Sequence, residues 1–192
     1  MNIFDKLMLS RQVSFQDGRI ELLGQRVVIS PSDFFASYVL KINDRPELVT
    51  DVYLAAKQAT RDGFATNLGK ANKFTFEDYS QWLVDLAILS GWGQIKWVER
   101  EKDKLRGVLS ATDSPVALNL KGKVKRPCDH VIRGLMAGGA SSAFRANVEI
   151  IEYECEALGH DACKFVIGTP ADLCKRFPAL YKAQLRGIPI GR

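Results

Sequence analysis

Cysteine and histidine are scarce in this sequence, which has four cysteines and two histidines among 192 residues. The cysteines are too few, and lie too late in the chain, to be the disulfide framework of a small secreted fold. Long apolar runs are lacking too: no stretch reaches the roughly eighteen residues of a membrane helix, and no signal-peptide segment follows the N-terminal Met-Asn-Ile-Phe. We therefore expect a cytoplasmic protein with no membrane span, whose clustered thiols favour metal or redox chemistry.

Motifs for two common functions are also missing. No Gly-x-Gly-x-x-Gly follows a predicted strand, so a nucleotide-dependent enzyme has no support from this motif. The net charge of +5 includes one local basic cluster, residues 121–126, and no convincing helix-turn-helix. Direct nucleic-acid binding is therefore not expected.

The apolar pattern predicts an α+β fold, with helices packed on an antiparallel sheet. With 46% apolar and 26% charged residues, the composition suits one sizeable core. Asp17-Gly18 between β-prone runs predicts an N-terminal β-hairpin or meander over residues 1–30. The main domain is expected to span residues 31–187.

Helical periodicity predicts three helices in the first half of the main domain. They are expected from Ser32, as N-cap, to about 43, then from 47 to about 73, and from 75 to 91, the last beginning with a Thr75–Asp78 capping box.

In the second half, strands are expected at 94–98, 105–110, 148–155 and 163–167, and a strand or extended link at 116–120. A helix is expected over 128–144, and another from Thr169 that Pro178 kinks or divides, before a tail from Ile188.

Three of the cysteines lie where the predicted hairpin and helix could bring them together. Cys155 and Cys163 flank the turn of the 148–167 hairpin, and Cys128 opens a helix. Glu152 lies three residues before Cys155, so a bulge is needed to bring both to one side. The spacing is not that of a standard zinc finger, and by itself leaves buried structural thiols, a metal site and a redox role open.

The stretch 128–168 resembles the 4-vinyl reductase domain family. The resemblance lies in Gly138-Gly-Ala-Ser-Ser142, Glu152-Tyr-Glu-Cys155 and Cys163-Lys-Phe-Val-Ile-Gly168. It implies a zinc held by Cys128, Glu152, Cys155 and Cys163, with His130 and His160 as alternate ligands. Asp129 departs from the family's sensor members, which usually have an aromatic residue there.

The resemblance also implies a function. It favours a binding module over an enzyme, namely a homodimeric sensor or regulatory protein that takes up an apolar or aromatic small molecule. Two alternatives stay open: an enzyme acting on a tetrapyrrole or other vinyl compound, and an interaction scaffold. The aromatic residues that could line the ligand cavity, or simply fill the core, are Phe64, Tyr79, Trp82, Trp92 and Phe144.

Overall fold

The structure is a computed structural model that describes residues 13–22, 25–67 and 75–190, without the side chains of residues 25 and 64–67. It is an α+β fold with two antiparallel sheets, as the sequence predicts. The strands are β1 (Val13–Gln16), β2 (Arg19–Leu22), β3 (Gln25–Val27), β4 (Gln94–Glu101), β5 (Arg106–Thr112), β6 (Glu149–Glu154) and β7 (Cys163–Gly168). The helices are α1 (Ser32–Ile42), α2 (Pro46–Asn67), α3 (Phe76–Leu89), α4 (Pro115–Asn119), α5 (His130–Phe144), α6 (Pro170–Arg176) and α7 (Pro178–Gln184).

The N-terminal strands form a separate three-stranded meander in the order β1-β2-β3. Asp17 and Gly18 both have positive φ angles, of 49° and 72°, as a tight two-residue hairpin turn requires. The predicted hairpin is therefore confirmed.

The three helices of the first half follow the apolar periodicity. The Thr75–Asp78 capping box is confirmed, because each residue's side chain bonds the other's backbone N–H. Ser32, in contrast, is not an N-cap: Pro31 takes that position, and the Ser32 hydroxyl accepts a hydrogen bond from Asn119. The predicted end of α2, residues 68–73, lies outside the described residues.

The main sheet has the order β4-β5-β7-β6 and is antiparallel throughout. Its two predicted hairpins are confirmed. The register of β6 on β7 shifts between Glu152 and Glu154, which is the bulge expected from the Glu152–Cys155 spacing. The prediction of a strand at 116–120 is wrong. Helix α4 forms instead because the Ser114 side chain caps it and Pro115 has the φ of a first helical residue.

Helix α5 is the centre of the fold, since it lies between α2 and the sheet. Its small residues Gly134 and Gly138 let the backbone of α2 approach closely. The predicted division at Pro178 is confirmed by α6 and α7, and Thr169 caps α6. Ile188, expected to begin a tail, is buried, and its carbonyl accepts a hydrogen bond from Tyr181.

Candidate metal centre

The four residues of the predicted zinc site converge at one end of the main sheet. Cys128 lies just before α5, Glu152 lies on β6, Cys155 follows β6, and Cys163 begins β7. All four are fully buried. Neighbouring strands β6 and β7 bring Glu152, Cys155 and Cys163 together, and the approach to α5 delivers Cys128 to the same place.

The sulfur geometry suits a shared metal ion. The Sγ atoms of Cys128 and Cys155 are 3.7 Å apart. This is far beyond the roughly 2.05 Å of a disulfide bond, and the cysteines are free thiols. Two sulfurs, each about 2.3 Å from a tetrahedral zinc, would lie roughly 3.8 Å apart. The observed separation therefore needs no rearrangement to hold such an ion.

A second carboxylate, Asp129, lies beside this cluster and was not predicted as a ligand. Donor atoms of Asp129, Glu152, Cys155 and Cys163 all lie within 4.8 Å of one another. The sequence gives little sign of this, because Asp129 is conspicuous only as a departure from the family pattern. The buried group therefore contains three thiols and two carboxylates.

The two carboxylates are fixed in place, yet each keeps one free oxygen. Asp129 Oδ1 accepts from the Ser114 hydroxyl at 2.7 Å, and Glu152 Oε2 accepts from the Asp129 backbone N–H at 2.9 Å. Asp129 Oδ2 and Glu152 Oε1 are buried and have no hydrogen-bond partner. Because an unpaired buried polar atom is costly, a cation between these oxygens would satisfy both.

The charge balance of the cluster points the same way. Burial, with the nearby Cys155 sulfur, raises the pKa of Asp129 to about 7. Burial and Asp129 raise the pKa of Glu152 well above its ordinary value. Hydrogen bonding to Cys155 and burial raise the pKa values of Cys128 and Cys163, while their thiols lower that of Cys155. The site thus repels further negative charge, and a divalent cation would stabilise the ionised ligands.

Neighbouring side chains hold the backbone around the cluster. Glu156 accepts from the backbone N–H groups of Asp113 and Ser114, and its own N–H lies 3.3 Å from the Cys163 sulfur. Gln184 of α7 bonds both the N–H and the carbonyl of Glu152, at 3.0 and 2.7 Å. Such second-layer contacts orient ligands at metal sites.

The two alternate ligands have other surroundings. His130 Nε2 lies 2.6 Å from Asn43 Oδ1, and burial, with Arg133, lowers its pKa to about 3. His160 is exposed, and its Nδ1 lies 3.1 Å from the Cys155 carbonyl oxygen. Within the described residues, the group of mutually close donor atoms includes neither ring.

The predicted aromatic residues are spread over the helical side of the fold. Phe144 is buried against Phe76, with ring centroids 4.9 Å apart. Trp92 contacts Phe35 and lines a cavity of about 70 Å³ between α1 and α4. Tyr79 and Trp82 are partly buried against the core, and the side chain of Phe64 lies outside the described residues.

The fold and the buried cluster together define an α+β domain with a candidate metal centre beneath its sheet edge. Residues 108–169 match the family model of the vinyl-4-reductase domain, so the predicted resemblance to the 4-vinyl reductase domain family is confirmed over this part of the chain. The match includes all five residues of the cluster. No curated protein matches the sequence significantly.

Solved structures show that the likeness in fold extends well beyond the matched segment. The phenol-responsive sensory domain of the transcription activator PoxR, solved with phenol, has a TM-score of 0.73 at 17% identity, over 93% of this chain and 96% of that one. The same fold is therefore shared over nearly the whole chain.

Two further structures are similar over a smaller share of the chain. A vinyl-4-reductase family protein from Methanocaldococcus jannaschii has a TM-score of 0.49 at 18% identity, over 73% of this chain and 82% of that one. Subunit 3 of a trafficking protein particle complex from Naegleria fowleri, covalently bound to palmitic acid, has a TM-score of 0.51 at 15% identity, over 71% and 91%. None of the described helices is both long and apolar enough to cross a membrane.

Proposed function

We propose that the protein is a zinc-stabilised sensor or regulatory domain that binds an apolar or aromatic small molecule and works as a homodimer. The observation that carries the metal part is the buried cluster of three thiols and two carboxylates with two unpartnered oxygens. The ligand part is supported by the PoxR sensory domain, whose fold this chain shares and whose structure contains phenol.

Zinc is the metal that this set of donors suits best. Thiolates favour zinc over magnesium or calcium, which prefer oxygen ligands alone. Cys128, Glu152, Cys155 and Cys163 would fill its four positions, leaving none for a substrate water. The ion's role is then structural: it ties the start of α5 to the β6–β7 hairpin.

Metal analysis of Cys155→Ser tests this assignment. Wild-type protein purified without chelator should contain about one zinc per chain, and the variant should contain almost none. Cys174→Ser is the matched control, because Cys174 is a partly buried thiol on α6 outside the cluster. A wild-type protein with well under one metal per chain, or a metal-replete Cys155→Ser, would refute the zinc site.

Ligand binding can be tested with phenol and substituted benzenes. The melting temperature of the metal-loaded protein should rise saturably with the concentration of at least one of them, because binding to the folded state alone stabilises it. Trp92→Ala should weaken the effect if Trp92 lines the site. Trp97→Ala is the control, since the Trp97 indole donates to the Ser80 carbonyl and is not a cavity candidate. No saturable shift with any apolar probe would count against the sensor proposal.

A further inference from the structure

The N-terminal meander is a two-faced sheet. The pairings Val13 with Leu22, Phe15 with Ile20, and Ile20 with Val27 put these five apolar side chains on one face. The opposite face consists of polar and charged residues, namely Ser14, Gln16, Arg19, Glu21 and Arg26. We call the first set the apolar face of the meander.

This apolar face is not covered by the core of the described protein. None of its five side chains is buried, and none belongs to the hydrophobic core or to the partly buried residues packed against it. A short sheet of this size is marginal in water unless its hydrophobic face packs on something. The alternation of side chains therefore indicates a surface made to be covered.

Exposed apolar side chains continue from the meander into the next elements. Phe15 is 60% exposed, Val28 86% and Ile29 76%, and on α1 Phe34 is 62% and Tyr38 44% exposed. Phe34 and Tyr38 are four residues apart and so share one side of α1. Scattered exposed apolar residues are ordinary, but here they follow one another along a short stretch of chain.

The area at stake is close to what a stable dimer needs. These five side chains alone expose on the order of 500 Å² of mostly apolar surface. The half-exposed remainder of the meander face adds to it. A standard protein interface buries about 800 Å² on each partner.

We propose that the apolar face of the meander, with Val28, Ile29 and the outer side of α1, is the surface on which a second copy of this chain docks. This assignment rests on the proposed homodimer and is independent of the metal centre. A two-fold interface uses the same patch on both chains, so an apolar patch of this kind is complementary to itself. The charged face then points to water, with Glu21 directly opposite Arg26.

Sedimentation velocity over a range of concentrations tests the proposal with the full, metal-loaded chain. Wild-type protein should sediment as a dimer, and Phe15→Asp should weaken the dimer at least ~100-fold, because two charges would be buried in the interface. Ser14→Asp is the matched control: it puts the same charge on the opposite face of the same strand, and its dimer should persist.

The outcomes separate the two proposals. A wild-type monomer at all concentrations refutes both the dimer and this interface, whereas a dimeric Phe15→Asp refutes the interface alone. Because Phe15 is exposed in one chain, its replacement should leave zinc content unchanged, which verifies folding. Hydrogen exchange should be slow in β1 and β2 of the wild type and faster in Phe15→Asp. Equal protection in a monomeric protein would mean that the chain's own residues cover the face, and would overturn the proposal.

Discussion

Asp129 is the residue that most alters the chemistry of the metal centre. Its carboxylate is held by Ser114, and its backbone N–H positions Glu152, while its second oxygen has no partner. Five donors are thus available where zinc takes four. We interpret Cys128 as the fourth ligand, because its sulfur lies at tetrahedral-site distance from that of Cys155, and Asp129 as a neighbouring group that orients Glu152.

Replacing these two residues should separate the roles. Cys128→Ser should lose zinc almost completely, because a coordinating thiolate is removed. Asp129→Asn should keep about one zinc per chain and weaken its affinity by about 10-fold to 100-fold, as is usual when a group that orients a ligand is changed. Competition against a chromophoric zinc chelator measures both. Equal loss of zinc in the two variants would place Asp129 in the coordination sphere.

At the scale of single elements, the contact between α5 and α2 depends on two glycines. A Cβ on Gly134 would overlap the Tyr53 carbonyl oxygen and lie 2.8 Å from the Ala56 Cβ. A Cβ on Gly138 would overlap the Lys57 carbonyl oxygen and lie 2.9 Å from the Thr60 Cβ. Both obstacles are largely backbone, so the helices themselves would have to separate.

Gly138→Ala should therefore lower the free energy of unfolding by about 1–3 kcal/mol, despite the higher helix propensity of alanine. Gly139→Ala is the matched control on the same helix. Its Cβ would meet only the Leu83 side chain, which can rotate away, so it should be less destabilising. Urea unfolding of the metal-loaded variants measures the difference, and equal effects would contradict the close-packing argument.

The link between β5 and α6 predicts a pH effect. Partial burial would raise the pKa of the Asp172 carboxyl, but the Arg106 and Arg176 guanidinium groups outweigh burial and hold this pKa below its ordinary value of 3.8. A carboxyl with a lowered pKa stabilises the folded state above its ordinary pKa, and this contribution disappears as the pH falls through the folded-state pKa.

Asp172→Asn should lower the free energy of unfolding at pH 7 by about 1 kcal/mol, since the pair is partly solvated. The difference from wild type should shrink below about pH 4. Asp51→Asn, an exposed carboxyl on α2, is the control and should change stability little. Urea unfolding at both pH values tests this, and a difference that persisted in acid would exclude the ion pairs as its cause.

For the whole molecule, the metal centre connects parts of the chain that are distant in sequence. Cys128, at the start of α5, meets Cys155 and Cys163 of the β6–β7 hairpin, and α7 reaches the same place through Gln184. Without a cation, the buried carboxylates and thiols must stay partly protonated or repel one another. The ion should therefore contribute to the stability of the entire domain.

Removal of zinc by a chelator should lower the melting temperature by about 10 °C or more, and adding back one equivalent of zinc should restore it. Cys155→Ser should already melt at the lower temperature, with no further change on chelation. Differential scanning calorimetry measures these values. An unchanged melting temperature after verified metal removal would show that the cluster is stable without an ion.

The sequence by itself determined the secondary structure wherever the signal was local. The Asp17-Gly18 turn, the Thr75–Asp78 capping box and the break at Pro178 depend on the conformational preferences of a few consecutive residues. The spacing of Glu152 and Cys155 likewise required the bulge that the β6–β7 register contains. At residues 116–120 the β-prone pattern was misleading, because Ser114 and Pro115 start a helix there.

Only the tertiary structure decided which side chains share a site. It brought Asp129 to the cysteines and paired His130 with Asn43, because these contacts depend on how α5 packs on the sheet and on α2. The apolar face of the meander became apparent only from the strand register, together with what the core leaves uncovered. Local preferences carry no information about such long-range contacts, since they are fixed by the packing of elements far apart in the chain.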